Sequence, residues 1–205
     1  MIWKQWGAQI DGNVARAVLA KEHTLLYNHD SRTLADIITA MNKWSNNQIA
    51  RTLIYTLGIS ADGTHATRAR GIEVITEELA NRNITQTGLI IENGSGLSRN
   101  VRASANLITE ILNAAWNDKD ASEFVSSLSI VGSDGTATKR AQSDISKARI
   151  RVKTGSLDDV SAIAGYIHHD NEVFTVVCIV NSPMVNNGIG KKLEDDVLRW
   201  ASTLR

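Results

Sequence analysis

Lys153-Thr154-Gly155-Ser156 places a cation, two hydroxyls and a residue without a side chain in one short run. That combination suits an anion whose attached backbone must lie close to the chain. The lysine attracts a carboxylate, the hydroxyls hydrogen-bond it, and the glycine removes the side chain that would block approach. An extended peptide laid along such an edge would add as a further strand. Taken alone, the run reads better as an ordinary strand-end turn with a solvated lysine. A second set, Ser45-Asn46-Asn47, lies far upstream at a polar break between two apolar helical stretches. Polar groups at such a break can face a cleft, or can simply cap a helix in an exposed loop, which is their commoner use.

The elements that must position these residues can be read from periodicity. Arg151–Ser156 reads as a strand entering a small-residue turn, Val160–Ile167 as a second strand and Val173–Val180 as a third, all alternating or β-branched. Asp158-Asp159 and His169-Asp170-Asn171 are the hairpin turns between them. Upstream, a helix begins at Ser31 with Leu34, Ile37, Ile38 and Met41 on one face, and 42–47 interrupts it. A second helix runs from about Gln48 to Leu57 and stops at Gly58. A third spans Ala66–Asn81 with Arg68 and Arg70 solvated, Leu89–Ile91 is a short strand, and Glu92–Arg99 is a tight Gly/Ser loop. Helices follow over Ser104–Trp116 and from Asp120, then a turn at 132–135 and a polar, flexible stretch over 138–148. Pro183 ends the last strand, and 190–205 is an amphipathic helix. Residues 1–28 are the least readable, with short strands at 7–14 and 23–27, and Trp3 and Trp6 read as packed. The fold class is therefore α/β, with helices on an antiparallel sheet.

Composition narrows the function classes. The 205 residues are 42% hydrophobic and 21% charged, as in a globular protein with a real core. Lys+Arg and Asp+Glu stand at 22 each, so no global field draws nucleic acid or an anionic membrane. No apolar run approaches the ~20 residues of a membrane span, and the N-terminus lacks the apolar core of a secretory signal. Cys178, the single cysteine, reads as core packing. His168-His169 reads as a solvated turn without a third metal ligand nearby.

Three stretches together carry a resemblance. Ser31 to Asn47, Glu92-Asn-Gly-Ser-Gly-Leu-Ser-Arg99 and Lys153 to Tyr166 are similar, in order, to the class C low-molecular-mass penicillin-binding proteins, the D-alanyl-D-alanine carboxypeptidase/endopeptidase family. A β-lactamase would share the chemistry but fits the loop motifs less well. The resemblance implies a β-lactamase/transpeptidase-like fold and a serine DD-peptidase that acts on peptidoglycan stem peptides, is acylated by β-lactams and needs no cofactor or metal. It also implies a periplasmic or other extracytoplasmic location for the full-length family member.

Residue by residue, the resemblance assigns Ser45 to relay a proton to the leaving amine. Asn47 would hold the substrate amide and the catalytic lysine. Lys153 would supply positive potential, Thr154 and Ser156 would bind the terminal carboxylate, and Gly155 would let the backbone approach. The Ser156 N–H would be half of an oxyanion hole, and Ser95 with its loop would shape the cleft wall. Glu92 and Asn46 stand where the family usually has Asp. The family's Ser-x-x-Lys nucleophile is absent, since Thr136-Ala-Thr-Lys139 has the spacing but a threonine and the wrong order. The chain then reads as the C-terminal portion of the catalytic domain, helical over about 31–130 with the sheet and terminal helix over about 148–205, inactive alone. The alternative is a non-catalytic peptide-binding module of the same fold. An exposed sheet edge on such a piece could pair with a second copy.

Overall fold

The computed structural model describes residues 27–62, 66–140 and 149–204, with scattered positions between 5 and 25. The chain divides into two units, Met1–Ser31 and Arg32–Arg205. In the first, Asn28 donates to Asp30 at 3.1 Å and the Tyr27 and His29 rings stack at 6.5 Å. The strands expected at 7–14 and 23–27 fall largely outside the described residues, and the positions that are described carry none. Trp3 lies outside them, and Trp6 is exposed.

The second unit begins with helix α1, Leu34–Trp44, capped by Thr33 and not by Ser31. The Thr33 hydroxyl accepts the Asp36 N–H at 3.2 Å, and Asp36 complements the positive end of the helix dipole. Helix α2, Asn47–Asp62, runs through Gly58 instead of stopping there. Gly58 marks a close crossing with helix α3, Arg68–Asn81. A Cβ on Gly58 would lie 2.7 Å from the Thr67 carbonyl oxygen, and one on Gly71 would lie 1.9 Å from that of Ile54. The two glycines let the backbones touch, so packing overrides the helix-stop signal. On α3, Arg70 pairs with Glu73 and Glu77. The strand expected at Leu89–Ile91 is reduced to a single bridge, Ile90 to Arg102. Helices α4, Ala105–Trp116, and α5, Ala121–Ser127, follow.

The sheet contains β1 (Ser129–Ile130), β2 (Arg149–Leu157), β3 (Val160–His169) and β4 (Glu172–Asn181), in that order and antiparallel. Helix α6, Ile189–Ala201, closes the unit. Strand alternation sends Ile150, Val152, Ile163 and Ile167 to one face, where Leu198 and Ala201 of α6 cover them. Tyr166, Ala164, Val173 and Val177 take the other face under Leu112 of α4 and Val125 of α5. His168 and His169 are the last residues of β3, not a solvated turn, and the His168 ring meets Trp116 edge-on at 5.4 Å. The expected flexible stretch over 138–148 lies outside the described residues from 141 on.

At Arg140 the chain is pinned by a buried ion cluster. Arg140, only 6% exposed, donates to Glu194 and Asp195 of α6, each at 2.7 Å, and to the Lys191 carbonyl at 3.2 Å. Ser161 of β3 completes the shell of the fully buried Glu194. Burial disfavours the guanidinium charge, but the two carboxylates outweigh it and hold the Arg140 pKa above its usual value. Arg140→Ala strands Glu194 in the core and should lower the unfolding free energy by about 3–5 kcal/mol. Urea titration measures it, and a loss under about 1 kcal/mol would show that the cluster carries little of the fold.

Candidate functional site

The polar break between α1 and α2 is built by three residues in three conformations. Ser45 ends α1 in the left-handed region, φ 52° and ψ 47°, with its N–H on the Met41 carbonyl. A non-glycine residue there costs about 1–2 kcal/mol. The Asn46 side chain accepts the N–H groups of Gln48 and Ile49 at 3.1 and 3.0 Å and so starts α2. Asn46 therefore caps the next helix, which Asp could do equally well. Asn47 is the first residue of α2 and is exposed.

The turn that holds Ser45 is clamped to the far side of the sequence. Asn42, buried, donates to the Ser127 hydroxyl at 2.7 Å. Lys43 pairs with Asp134 and donates to the Leu128 carbonyl at 3.2 Å. Asp134 also accepts the Ile130 N–H at 2.7 Å. Burial works against the Asp134 carboxylate, but Lys43, that N–H and Arg151 together hold its pKa below the usual value. The last turn of α1 is thus fixed against β1 and the 3-10 turn Gly135–Ala137.

Lys153 reaches across from β2. Its ammonium donates to the Ser45 hydroxyl and to the Thr154 carbonyl, the latter at 2.7 Å. Ser45 and Lys153 are 108 residues apart in sequence and in direct contact in space. Burial lowers the Lys153 pKa from its usual 10.5. The lysine expected to be the centre of the site is therefore a partly desolvated cation held by a strained serine.

Beyond Lys153, β2 is an open edge. β1 pairs only with Arg151 and Val152, and the Val131 N–H reaches the Ile150 carbonyl at 3.0 Å. Peptide groups of an antiparallel strand alternate in direction with a period of two residues. The Ile150 carbonyl points toward β1, so the backbone groups of Thr154 and Ser156 point the same way. No described strand pairs with them there. Gly155 faces Ala162 of β3. A Cβ on Gly155 would lie 3.6 Å from the Ala162 Cβ, an ordinary contact, so nothing within the fold demands glycine at this position.

The hydroxyls along this edge have partners that sequence reading missed. Thr136 and Thr154 share a hydrogen bond at 2.7 Å. Ser156 accepts from Asn186 at 2.9 Å. Ser95 lies apart from them. Its hydroxyl donates to Asn93 at 2.8 Å and accepts from Arg51 of α2 at 3.4 Å, and among the described residues it makes no hydrogen bond to β2. Arg99 ties that loop to the strand end, donating to the Asp158 carbonyl at 2.6 Å. Within the loop, Glu92 accepts from Ser98 and Asn100, which lower its pKa. A separate cavity of about 290 Å³ lies against Trp116, Ser126, Arg151 and His168, and neither Ser45 nor Lys153 lines it.

The depressed Lys153 pKa has a defined stability signature. The unfolded chain holds this proton more tightly, so the penalty of burying the charge is fully present below the folded-state pKa. It is relieved as pH rises toward and past 10.5. Lys153→Met should therefore be more stable than the unsubstituted chain at pH 7, with the gap closing as the pH approaches 10.5. Chemical denaturation across that range tests it, and a gap that widens with pH would contradict the assignment.

Known proteins are similar to this chain in sequence and in fold. Residues 1–204 match the D-Ala-D-Ala carboxypeptidase 3 (S13) family. A D-alanyl-D-alanine carboxypeptidase of Actinomadura sp. (strain R39) is 29% identical over 148 residues, covering 70% of this chain and 27% of the relative. The D-alanyl-D-alanine carboxypeptidase DacB of Haemophilus influenzae is 28% identical over 166 residues, covering 80% and 35%. The chain thus spans about a third of the length of these relatives. The fold matches penicillin binding protein 4 of H. influenzae with a TM-score of 0.74 at 23% identity, covering 82% of this chain and 40% of that one. A predatory endopeptidase from Bdellovibrio bacteriovorus matches with a TM-score of 0.66 at 20% identity, covering 82% and 43%. The antiparallel sheet flanked by helices is that of penicillin binding protein 4, and the chain belongs to the D-Ala-D-Ala carboxypeptidase 3 (S13) family.

Proposed function

We propose that this chain carries the substrate-gripping part of a serine D-Ala-D-Ala carboxypeptidase or endopeptidase that works on peptidoglycan outside the cytoplasm. The observation that carries the reading is the Lys153–Ser45 contact beside an open strand edge. A stem peptide ending in D-Ala-D-Ala adds along β2 as an extended strand, using the outward backbone groups of Thr154 and Ser156. Its terminal carboxylate meets the Thr154 and Ser156 hydroxyls in the field of Lys153. Asn47 holds the peptide amide, Gly155 gives the backbone room, and the loop bearing Ser95 and Arg99 walls the cleft.

In the reaction, a serine hydroxyl attacks the carbonyl of the penultimate D-Ala and the C–N bond breaks. The leaving D-Ala amine takes a proton relayed through Ser45, and water then hydrolyses the acyl ester. The Ser156 N–H stabilises the oxyanion, an interaction whose loss typically costs about 10²–10³ in rate. No Ser-x-x-Lys occurs in these residues. On this reading the attacking serine is not among residues 1–205, and these residues alone grip without being acylated. The same absence favours the second reading, a peptide-binding module that never hydrolyses.

Two measurements test the proposal. Titration with N-acetyl-Lys-D-Ala-D-Ala should show saturable binding that the L-Ala-L-Ala peptide lacks, and no binding of either would sink it. Intact-mass analysis after incubation with benzylpenicillin should show no adduct, and an adduct would place a nucleophile in this chain. Gly155→Ala should change stability by less than about 0.5 kcal/mol, since its methyl meets only Ala162, while weakening peptide binding severalfold.

A further inference from the structure

We infer that Asn186 is a positioning residue that commits the Ser156 hydroxyl to donate its proton to a ligand carboxylate. The inference rests on the reading that a carboxylate-ended peptide binds along β2. Asn186 lies in the 3-10 turn Val185–Asn187, 30 residues from Ser156. The orientation of its amide is fixed on both sides. Its carbonyl oxygen accepts the Asp159 N–H at 2.9 Å, and its nitrogen donates to the Val160 carbonyl at 3.3 Å. Reversing the amide would set oxygen against oxygen and N–H against N–H.

The same nitrogen lies 2.9 Å from the Ser156 hydroxyl. An amide nitrogen only donates, so Ser156 must accept, and its own proton is directed elsewhere. Ser156 is exposed on the open edge, so that proton points toward whatever binds there. A carboxylate accepts hydrogen bonds and cannot donate, so it is the ligand group such a hydroxyl is prepared to meet. Thr154 differs, because in its pair with Thr136 either oxygen can be the donor. The Asn186 turn is held independently of any ligand. Asp159 accepts the Met184 N–H at 3.2 Å on its carboxylate and the Ser182 N–H at 3.0 Å on its carbonyl.

The test compares the binding of N-acetyl-Lys-D-Ala-D-Ala with that of its C-terminal amide to the whole chain by calorimetry. The unsubstituted chain should prefer the acid. Asn186→Ala should cut that preference by about tenfold, the scale of one hydrogen bond to a charged group. Ser156→Ala leaves the Asn186 amide on the Asp159 N–H and the Val160 carbonyl, so it keeps the turn, and it should abolish the preference. Ser156→Ala/Asn186→Ala should be no worse than Ser156→Ala, because Asn186 acts through that hydroxyl. If the substitutions weaken acid and amide equally, Asn186 is merely structural and the inference fails while the peptide-binding reading stands. If the unsubstituted chain binds neither ligand, both fail.

Discussion

Everything at the site depends on an ammonium held away from water. Lys153 reaches from a strand to a serine at the end of a helix, joining the two parts of the larger unit. A charge in that position is tolerated only with good partners, and it has a hydroxyl and a carbonyl. The hydroxyl is presented by a backbone in the left-handed region, which the clamp of Asn42, Lys43 and Asp134 holds in place. Conformational strain and partial desolvation therefore fall on the same pair of residues. Rigid surroundings make that possible, because strain persists only where the neighbouring structure over-determines it.

The sheet supplies the rest by leaving something out. Four strands share one hydrogen-bonded order, yet the first is only two residues long. It supports β2 as far as Val152 and no further. Beyond Val152 no described strand pairs with this side of β2, and the Thr154 carbonyl is met by the Lys153 ammonium. The buried Ile150 and Val152 and the full-length pairing with β3 hold β2, so the exposed segment keeps strand geometry without a neighbour on its other side. The side chains along it are tied to elements distant in sequence, Thr154 to Thr136 and Ser156 to Asn186. Short β1 and long-range tethers together make an edge that is ordered before anything binds it, which reduces the entropy lost on association.

The three long strands were legible because alternation and β-branching repeat over eight or more residues. Val160–Ile167 was read within two residues of its observed end at His169. The hairpin residues were read less well, since His168 and His169 belong to β3. β1 was invisible, because two residues have no period. Gly58 misled for a physical reason: its missing side chain serves a helix crossing, and a single sequence does not distinguish that from a helix stop. At the site, Ser45 and Lys153 were legible as a motif pair, and the structure brings them into contact. Thr136, Asn186 and the Lys43–Asp134 pair were not. Each is a common polar residue near a turn, and its meaning lies in a partner 18 to 91 residues away. In the sequence Thr136 stands out only as the start of Thr136-Ala-Thr-Lys139, which has the Ser-x-x-Lys spacing without the serine.

The brevity of β1 carries a liability as well as a use. Any extended chain, including a misfolded neighbour, finds the same side of β2 without a partner strand, and open strands of this kind seed aggregation. What guards this one is polarity: Lys153, Thr154 and Ser156 offer little to an apolar intruder, and Gly155 gives it no grip. The polarity of the edge is therefore also its protection, and a change that made the edge greasier would open it to apolar association.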